Sequence, residues 1–306
     1  MAETSFKPQP AAMTGYLLAV AATLIWSGNF IIARGLSQHI PPVGLTFWRW
    51  FIAVLVFVPF AIRPVIADRA LIKKHFVYLS ITAFIGVTLF NILMYVAGRT
   101  TTAINLSLIA ISSPIFIILF ARILFGESIT LKKVAGILLA VSGVILLITG
   151  GSLSRLMNLT FAIGDVWMFF AACAFALYSV LVKKKPAAMH LYTFLFSTFA
   201  LGIIYVLPFY IWEHFCYKAV IVDSSTILAV LYSGVLGSLV AFFMWNKAIL
   251  IVGPSKSALI YYMIPVFTGI SAYLFLDEQF RIISILSMAL IVCGILTANY
   301  VRKPKG

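Results

Sequence analysis

Residues 76–98 read FVYLSITAFIGVTLFNILMYVAG, a stretch without a single Asp, Glu, Lys or Arg. A helix of about 20 apolar residues crosses the roughly 30 Å hydrocarbon core of a bilayer. A strand of a membrane barrel would instead alternate polar and apolar residues over about ten positions. Because this stretch is continuously apolar, it predicts a membrane-spanning α-helix.

Similar runs recur along all 306 residues, of which 63% are hydrophobic and only 10% are charged. The mean hydropathy is +1.11. A soluble domain carries about 25% charged residues, so this chain has too few charges to cover a water-facing surface. The predicted fold is an all-α membrane protein with ten transmembrane helices. The predicted spans are 16–36, 45–64, 76–98, 102–125, 131–150, 162–182, 192–212, 226–249, 255–276 and 280–301.

The net charge of +14 has a membrane interpretation, because cytoplasmic loops are enriched in Lys and Arg. If the N-terminus is cytoplasmic, sixteen of the 22 basic residues fall on the cytoplasmic side and six on the other. This bias predicts a multi-pass protein of the cytoplasmic (inner) membrane with both termini inside. No soluble basic face can be drawn, so nucleic acid is not an expected partner.

The two halves of the chain match at an offset of 151 residues or one close to it. Pro, Gly and Glu recur in one order, which chance explains less easily than matches between apolar residues. Each unit, 14–150 and 161–302, holds five predicted helices, an odd number, so the second must start from the opposite side of the membrane. The pattern predicts two inverted five-helix repeats. Matched pairs are Gly86 and Gly237, Ala97 and Ala248, Pro114 and Pro265, Glu127 and Glu278, and Gly143 and Gly294.

Three stretches carry a resemblance to a known family. They are ATLIWSGNF at 22–30, the segment from Tyr95 to Gly143, and its partner from Asn246 to Gly294, which both contain a Pro and a Glu at matched positions. With them, residues 14–302 resemble the EamA-type drug/metabolite transporter superfamily, whose members have ten helices in two EamA repeats. The resemblance implies an inner-membrane carrier, often an exporter of amino acids or other metabolites.

Polar groups inside a membrane are costly, so they usually face protein or a cavity. The family fold implies a central cavity lined by helices 1, 3, 4, 6, 8 and 9, which here would be aromatic and neutral. Such a cavity suits a partly apolar, zwitterionic or neutral solute. Two alternatives stay open, since Tyr and Trp also form interfacial belts and Asn also bonds between helices. The candidates for substrate binding are Trp26, Asn29, Asn91, Tyr95, Tyr178, Trp245, Asn246, Tyr261 and Tyr262. In the second repeat Ala176 stands where Trp26 would recur.

Pro114 and Pro265 fall near the centres of predicted spans 4 and 9 and are candidate helix kinks, because proline removes a backbone donor. Glu127 and Glu278 precede spans 5 and 10 and are interpreted as structural, with gating or coupling as the alternative. Ser128 or Thr130 could cap the fifth span.

No acidic residue is predicted at the membrane midplane, where proton or sodium coupling usually places one. This absence favours facilitated transport or exchange, although coupling through Glu127 or Glu278 stays open. Arg34, Arg49 and Lys247 are expected to extend from span ends to the lipid headgroups. His39, His75, His190 and His214 are all predicted to lie in loops.

Three other classes of protein find less support in the residues. A lipid-modifying membrane enzyme would need a catalytic pair or metal cluster inside the membrane, and a channel would need a charged ring or carbonyl filter. The GxxxxGK[ST] motif of nucleotide-driven pumps is missing from the sequence. No catalytic residue, metal or cofactor is therefore predicted. Expected partners are a small-molecule solute and membrane lipid, and a monomer and a homodimer are both compatible with the sequence. Cys173, Cys216 and Cys293 are interpreted as packing residues.

Overall fold

The computed structural model describes residues 10–36, 40–101, 106, 109–158, 160, 162–216, 223–267, 270 and 282–299, without the side chains of 10, 29–36, 155, 225 and 284. All regular elements in this part of the chain are helices. They are α1 Pro10–Leu36, α2 Pro42–Ala67, α3 Arg69–Lys74, α4 Phe76–Ala97, α5 Ser113–Phe125, α6 Leu131–Thr149, α7 Leu153–Met157, α8 Ile163–Lys183, α9 Leu191–Cys216, α10 (Ser224–Leu231, Tyr232–Val240 and Ala241–Val252 end to end), α11 Pro254–Ile260 and α12 Ile282–Asn299.

Seven described helices are long and apolar enough to cross a bilayer, namely α1, α2, α4, α6, α8, α9 and α10. The all-α class and repeated membrane crossing are therefore confirmed. The other three predicted spans, 102–125, 255–276 and 280–301, include residues outside the described part. The shorter apolar helices α5 and α12 lie within the first and third of these spans, and α11 overlaps the second. The count of ten stays a prediction.

The helix contacts have the symmetry expected of a duplicated unit. The repeat offset makes α1 equivalent to α8, α2 to α9, α4 to α10, α5 to α11, and α6 to α12. Three equivalent pairs contact each other directly: α2 with α9, α5 with α11, and α6 with α12. Other contacts exchange in the same way, since α1 packs on α10 and on α11 as α8 packs on α4 and on α5.

Helices α2 and α9 are held together at both of their ends. Glu213, near the end of α9, accepts hydrogen bonds from the N–H groups of Val43 (3.2 Å) and Gly44 (2.7 Å) at the start of α2. At the other end, the N–H of His190 donates to the Asp68 carboxylate over 2.8 Å. These contacts mean that α2 and α9 run antiparallel, with Glu213 satisfying free donors at a helix N-terminus.

Asp68 lies between α2 and α3, outside the membrane-spanning segments. Burial alone would raise the pKa of its carboxyl group. The hydrogen bonds and charge interaction from His190, with a further hydrogen bond, outweigh that effect and hold the pKa below its usual range. The group therefore favours its ionised form, which suits an acceptor of two hydrogen bonds.

Helices α6 and α12 approach backbone to backbone. A Cβ added to Gly136 would lie 2.5 Å from the Gly294 carbonyl oxygen, and one added to Gly143 would lie 2.8 Å from that of Ser287. Contacts therefore move toward the start of α12 as they move toward the end of α6, so this pair is also antiparallel. Small residues at such crossings allow close van der Waals packing, a main source of helix association in membranes.

Two equivalent helices carry wide turns of the π type at equivalent positions. In α4 the π segment is Phe84–Leu89, and in α10 it is Tyr232–Val240. Gly86 and Gly237, which the repeat pairs in sequence, lie inside these two segments. A π segment shifts the register of the helix faces on either side of it, and such segments are frequent at functional sites.

The helical path is interrupted before each of the two matched prolines. Residues 111–112 form a turn before Pro114, and residues 261–262 form a turn before Pro265. Pro114 is the second residue of α5. At this position a backbone N–H would have no partner within the helix, so the N–H that proline lacks is not missed. The irregularity therefore precedes each proline, because a proline has no N–H with which to bond the carbonyl one turn earlier in the chain.

The predicted cap of the fifth span is confirmed. Gly126 ends α5 with a left-handed conformation (φ 66°) that a residue with a Cβ rarely adopts. Thr130 precedes α6, and its side chain accepts a hydrogen bond from the N–H of Lys133.

Candidate functional site

An aromatic cluster lies between the two halves of the protein. Trp26 of α1 meets Phe175 of α8 (5.7 Å between ring centroids), Phe242 of α10 (5.5 Å) and Trp245 of α10 (5.4 Å). Tyr261, in the turn after α11, packs on Trp26, Phe175 and Trp245. All five side chains are buried. The structure thus brings three of the candidate residues, Trp26, Trp245 and Tyr261, together in a packed cluster.

Each π segment receives an aromatic side chain from the other half. The Nε1–H of Trp26 donates to the carbonyl oxygen of Gly237, 2.9 Å away. In the equivalent place, a Cβ added to Gly86 would lie 2.0 Å from the ring of Tyr178. Tyr178 of the second repeat therefore occupies the position that corresponds to Trp26, although the aligned residue is Ala176. The aromatic residue that contacts the π segment is thus shifted by two positions between the repeats, and alignment of the repeats alone does not reveal this shift.

Polar pairs join α8 to α10 beside the cluster. The Tyr178 hydroxyl and the Asn246 amide are 2.9–3.0 Å apart, and the same amide donates to the carbonyl of Phe242. The Nε1–H of Trp245 donates to the Ser179 hydroxyl over 3.2 Å. Tyr178, Trp245 and Asn246 are fully buried, so these bonds replace water where water is excluded. The sequence marked the three large residues but not Ser179.

Three further candidates differ in their surroundings. The Asn91 amide donates to the carbonyls of Gly86 and Val87 on its own helix, so it stabilises the π segment of α4. Tyr262 is fully buried, and within the described residues its hydroxyl has no hydrogen-bond partner. The side chain of Asn29 lies outside the described residues.

Arg49 corrects one expectation from the sequence. It does not extend to the headgroups, since its side chain is 2% exposed. Its Nε donates to the Ser238 hydroxyl (2.7 Å), and Nη1 donates to the Tyr95 hydroxyl (2.6 Å). Because α2 begins at Pro42, Arg49 lies about two turns inside the helix. The predicted start at residue 45 placed Arg49 too near the end of the helix.

The approach of α2 to α10 explains how Arg49 reaches Ser238. A Cβ added to Gly234 would lie 2.9 Å from the carbonyl oxygen of Arg49. Both Gly234 and Ser238 belong to the π segment of α10. Tyr95 comes from α4, so the guanidinium group joins three helices. No spacing in the sequence links these residues, and Ser238 was missed altogether.

A charged link connects the two halves at the membrane surface. Glu127, in the connection between α5 and α6, lies 2.9 Å from Lys183 at the end of α8 and accepts a hydrogen bond from Ser255 in α11. Burial would raise the pKa of Glu127, but Ser255, Lys183 and the nearby charge of Lys133 outweigh it and lower the pKa. The carboxylate therefore stays ionised at neutral pH.

The described histidines and the buried or half-buried acidic residues lie at helix ends or between helices. His214 lies in the last turn of α9 and not in a loop, a correction that follows from the helix continuing to Cys216. His75 and His190 lie between helices, and His39 is outside the described residues. Within the described part, the buried or half-buried carboxylates Asp68, Glu127, Asp165 and Glu213 all lie at or near helix ends.

Comparison with known protein families identifies the duplicated unit. The model of the EamA-like transporter family matches residues 13–149 and again residues 162–300. The chain belongs to the EamA-like transporter family. The resemblance recognised from the three sequence stretches is thereby confirmed. Two family units that together cover most of this EamA protein also account for the symmetric helix contacts.

Relatives of this EamA protein are themselves named as transporters. An uncharacterized transporter of Archaeoglobus fulgidus is 31% identical over 267 residues, which cover 86% of this chain and 90% of the relative. A probable amino-acid metabolite efflux pump of Escherichia coli is 24% identical over 91% of this chain and 92% of its own length. A solved crystal structure with 20% identity covers 94% of this chain and 96% of its own, with a TM-score of 0.74, and so shares the fold.

Proposed function

We propose that this EamA protein is a secondary transporter, not an enzyme, that exports a small metabolite across the cytoplasmic membrane by alternating access. The solute is an amino acid or a related, partly apolar compound. In this mechanism two similar halves rock about a central site, which opens to one side of the membrane at a time. Both termini are cytoplasmic, as the distribution of Lys and Arg indicates.

Antiparallel pairing of equivalent helices supports an inverted repeat. Helix α2 runs opposite to its equivalent α9, and α6 runs opposite to its equivalent α12. Two copies that are inserted in opposite orientations produce this arrangement. The inward-open and outward-open states are then related by a pseudo-two-fold rotation about an axis in the membrane plane, with similar free energies.

The aromatic cluster is the observation that carries the proposal. One side contributes Trp26 from the first repeat, and the other contributes Phe175, Phe242, Trp245 and Tyr261 from the second. Movement between the repeats would therefore separate these rings and open space between them. Aromatic faces with a few hydroxyl and amide groups provide the largely apolar lining that small-molecule sites usually have.

The link at Glu127 supports a state that is closed on one side. With cytoplasmic termini, Glu127, Lys183 and Ser255 all lie on the cytoplasmic face, and their bonds tie the first repeat to the second there. Opening toward the cytoplasm would require these bonds to break. An exposed ion pair of this kind contributes only about 1 kcal/mol or less, which is weak enough for a repeated cycle.

A flux screen tests the transport proposal. The purified protein is reconstituted in liposomes, and counterflow of a panel of amino acids and aromatic metabolites is measured against protein-free liposomes. At least one amino acid or related metabolite is expected to exchange faster than in the control. If no compound moves, or if the protein chemically modifies the lipid, the transport proposal is wrong.

Transport is expected to continue without a proton gradient. In the described part of the chain, the buried and half-buried carboxylates lie at or near helix ends, and Glu127 has a lowered pKa that keeps it ionised at neutral pH. Counterflow of the solute found in the screen should therefore keep its initial rate when a protonophore is added. Loss of flux with the protonophore, at unchanged liposome integrity, would show that a proton is carried.

A further inference from the structure

Among the residues that the structure describes, the contacts of Arg49 leave several of its hydrogen-bond donors without an acceptor. Its guanidinium group uses one N–H toward Ser238 and one toward Tyr95, out of five that it carries. Each hydroxyl accepts in these bonds, so its own hydrogen is free to donate elsewhere. Within the described residues, neither hydroxyl donates to any acceptor, and no carboxylate lies within ion-pair distance of Arg49.

This arrangement has an unbalanced charge. A guanidinium group keeps its positive charge, and an isolated charge away from water is costly unless it is paired. Tyr95 and Ser238 are neutral, and the rings of Trp50 (5.7 Å) and Tyr95 (5.9 Å) offer only weak cation–π attraction. Ser238 is fully buried, whereas Tyr95 is only half-buried. The Tyr95 side is therefore the less enclosed of the two.

We propose that Arg49, Tyr95 and Ser238 form a subsite that binds the carboxylate of the transported solute. A carboxylate accepts two parallel bonds from a guanidinium fork, and the two hydroxyl groups supply further donors. The subsite lies where α2 and α4 of the first repeat meet α10 of the second, so it would respond to movement between the repeats. This inference rests on the proposed transport function and restricts its solute to compounds that carry a carboxylate.

Ligand-induced stabilisation tests the subsite. The melting temperature of the full-length protein in detergent is measured with each proteinogenic amino acid and with phenylpyruvate. It is measured again with the matching carboxamide of each compound. At least one carboxylate is expected to raise the melting temperature of the wild type more than its amide does. Arg49→Gln should bind that carboxylate at least about tenfold more weakly, because bonds to a charged group are lost, and should bind the amide unchanged.

Further variants separate binding from folding. Tyr95→Phe and Ser238→Ala each remove one donor while Arg49 remains, and should reduce the preference for the carboxylate by a smaller factor than Arg49→Gln. Arg49→Lys keeps the charge without the planar fork and should restore part of the preference. Arg63→Gln removes an exposed arginine from the same helix and should behave as the wild type.

The opposite results are equally clear. The subsite is wrong if carboxylates and amides stabilise the wild type equally, if no carboxylate stabilises it, or if Arg49→Gln and the hydroxyl variants keep the carboxylate preference. Counterflow of the same compounds distinguishes this failure from that of transport. Amides that wild type and Arg49→Gln move equally well would leave the transporter standing without the subsite, whereas no movement of any compound would refute transport itself.

Discussion

Gly294→Val is expected to prevent α12 from packing on α6 and to remove most folded protein from the membrane. A Cβ at residue 294 would lie 2.5 Å from the N atom of Ala140 and 2.6 Å from the carbonyl oxygen of Gly136. Both are backbone atoms, so no side chain can rotate away. Overpacking costs about 1–3 kcal/mol even in cores that can adjust. Here the two helices must separate, and the last helix of each repeat loses its partner.

The amount of monodisperse protein after detergent extraction measures this effect. The melting temperature of the recovered protein measures how far the remaining folded fraction is destabilised. Cys293→Val places the same side chain at the neighbouring, exposed position of α12 and should leave both values near those of the wild type. A Gly294→Val protein that extracts and melts like Cys293→Val would show that α6 and α12 do not depend on this contact.

The architecture was largely accessible from the sequence because the bilayer imposes simple rules on it. Long runs such as 76–98 must be helical, since lipid offers backbone groups no other partners. The pairing of Gly86 with Gly237 correctly placed two special positions in equivalent helices, since duplicated units keep the positions where helices approach closely. The π segments around both glycines were not predicted, because local propensities do not distinguish π from α turns.

The site was only partly accessible, since its contacts join residues far apart in the chain. Arg49 and Ser238 are separated by 189 positions. Hydropathy also does not distinguish an arginine that reaches the lipid headgroups from one that is buried in protein near the end of a span. Tyr178 replaces the aromatic residue of the first repeat at a shifted position, which a residue-by-residue match with Ala176 conceals. Glu213 is similar: only the packed structure reveals that it meets the N-terminus of α2.

Trp26→Ala is expected to lower transport at least about tenfold while the protein still inserts and folds. Trp26 is the ring that the first repeat contributes to the cluster, and its N–H satisfies the Gly237 carbonyl of the π segment over 2.9 Å. Truncation would remove that hydrogen bond and open a gap among Phe175, Phe242 and Trp245. Misplacement of lining groups by about 1 Å can cost two orders of magnitude in a reaction rate, and we expect a solute site to be similarly sensitive.

Two companion variants make the Trp26 prediction specific. Trp26→Phe keeps an aromatic face but cannot donate to Gly237, so its flux should lie between those of the wild type and Trp26→Ala. Trp167→Ala makes the same truncation at a ring that is 38% exposed and should keep normal flux. Counterflow is measured per amount of monodisperse protein, so that lost protein is not mistaken for lost transport. Equal flux in Trp26→Ala and Trp167→Ala would place the solute path away from the aromatic cluster. A gap in the cluster would change the flux if the solute passed between the two repeats there.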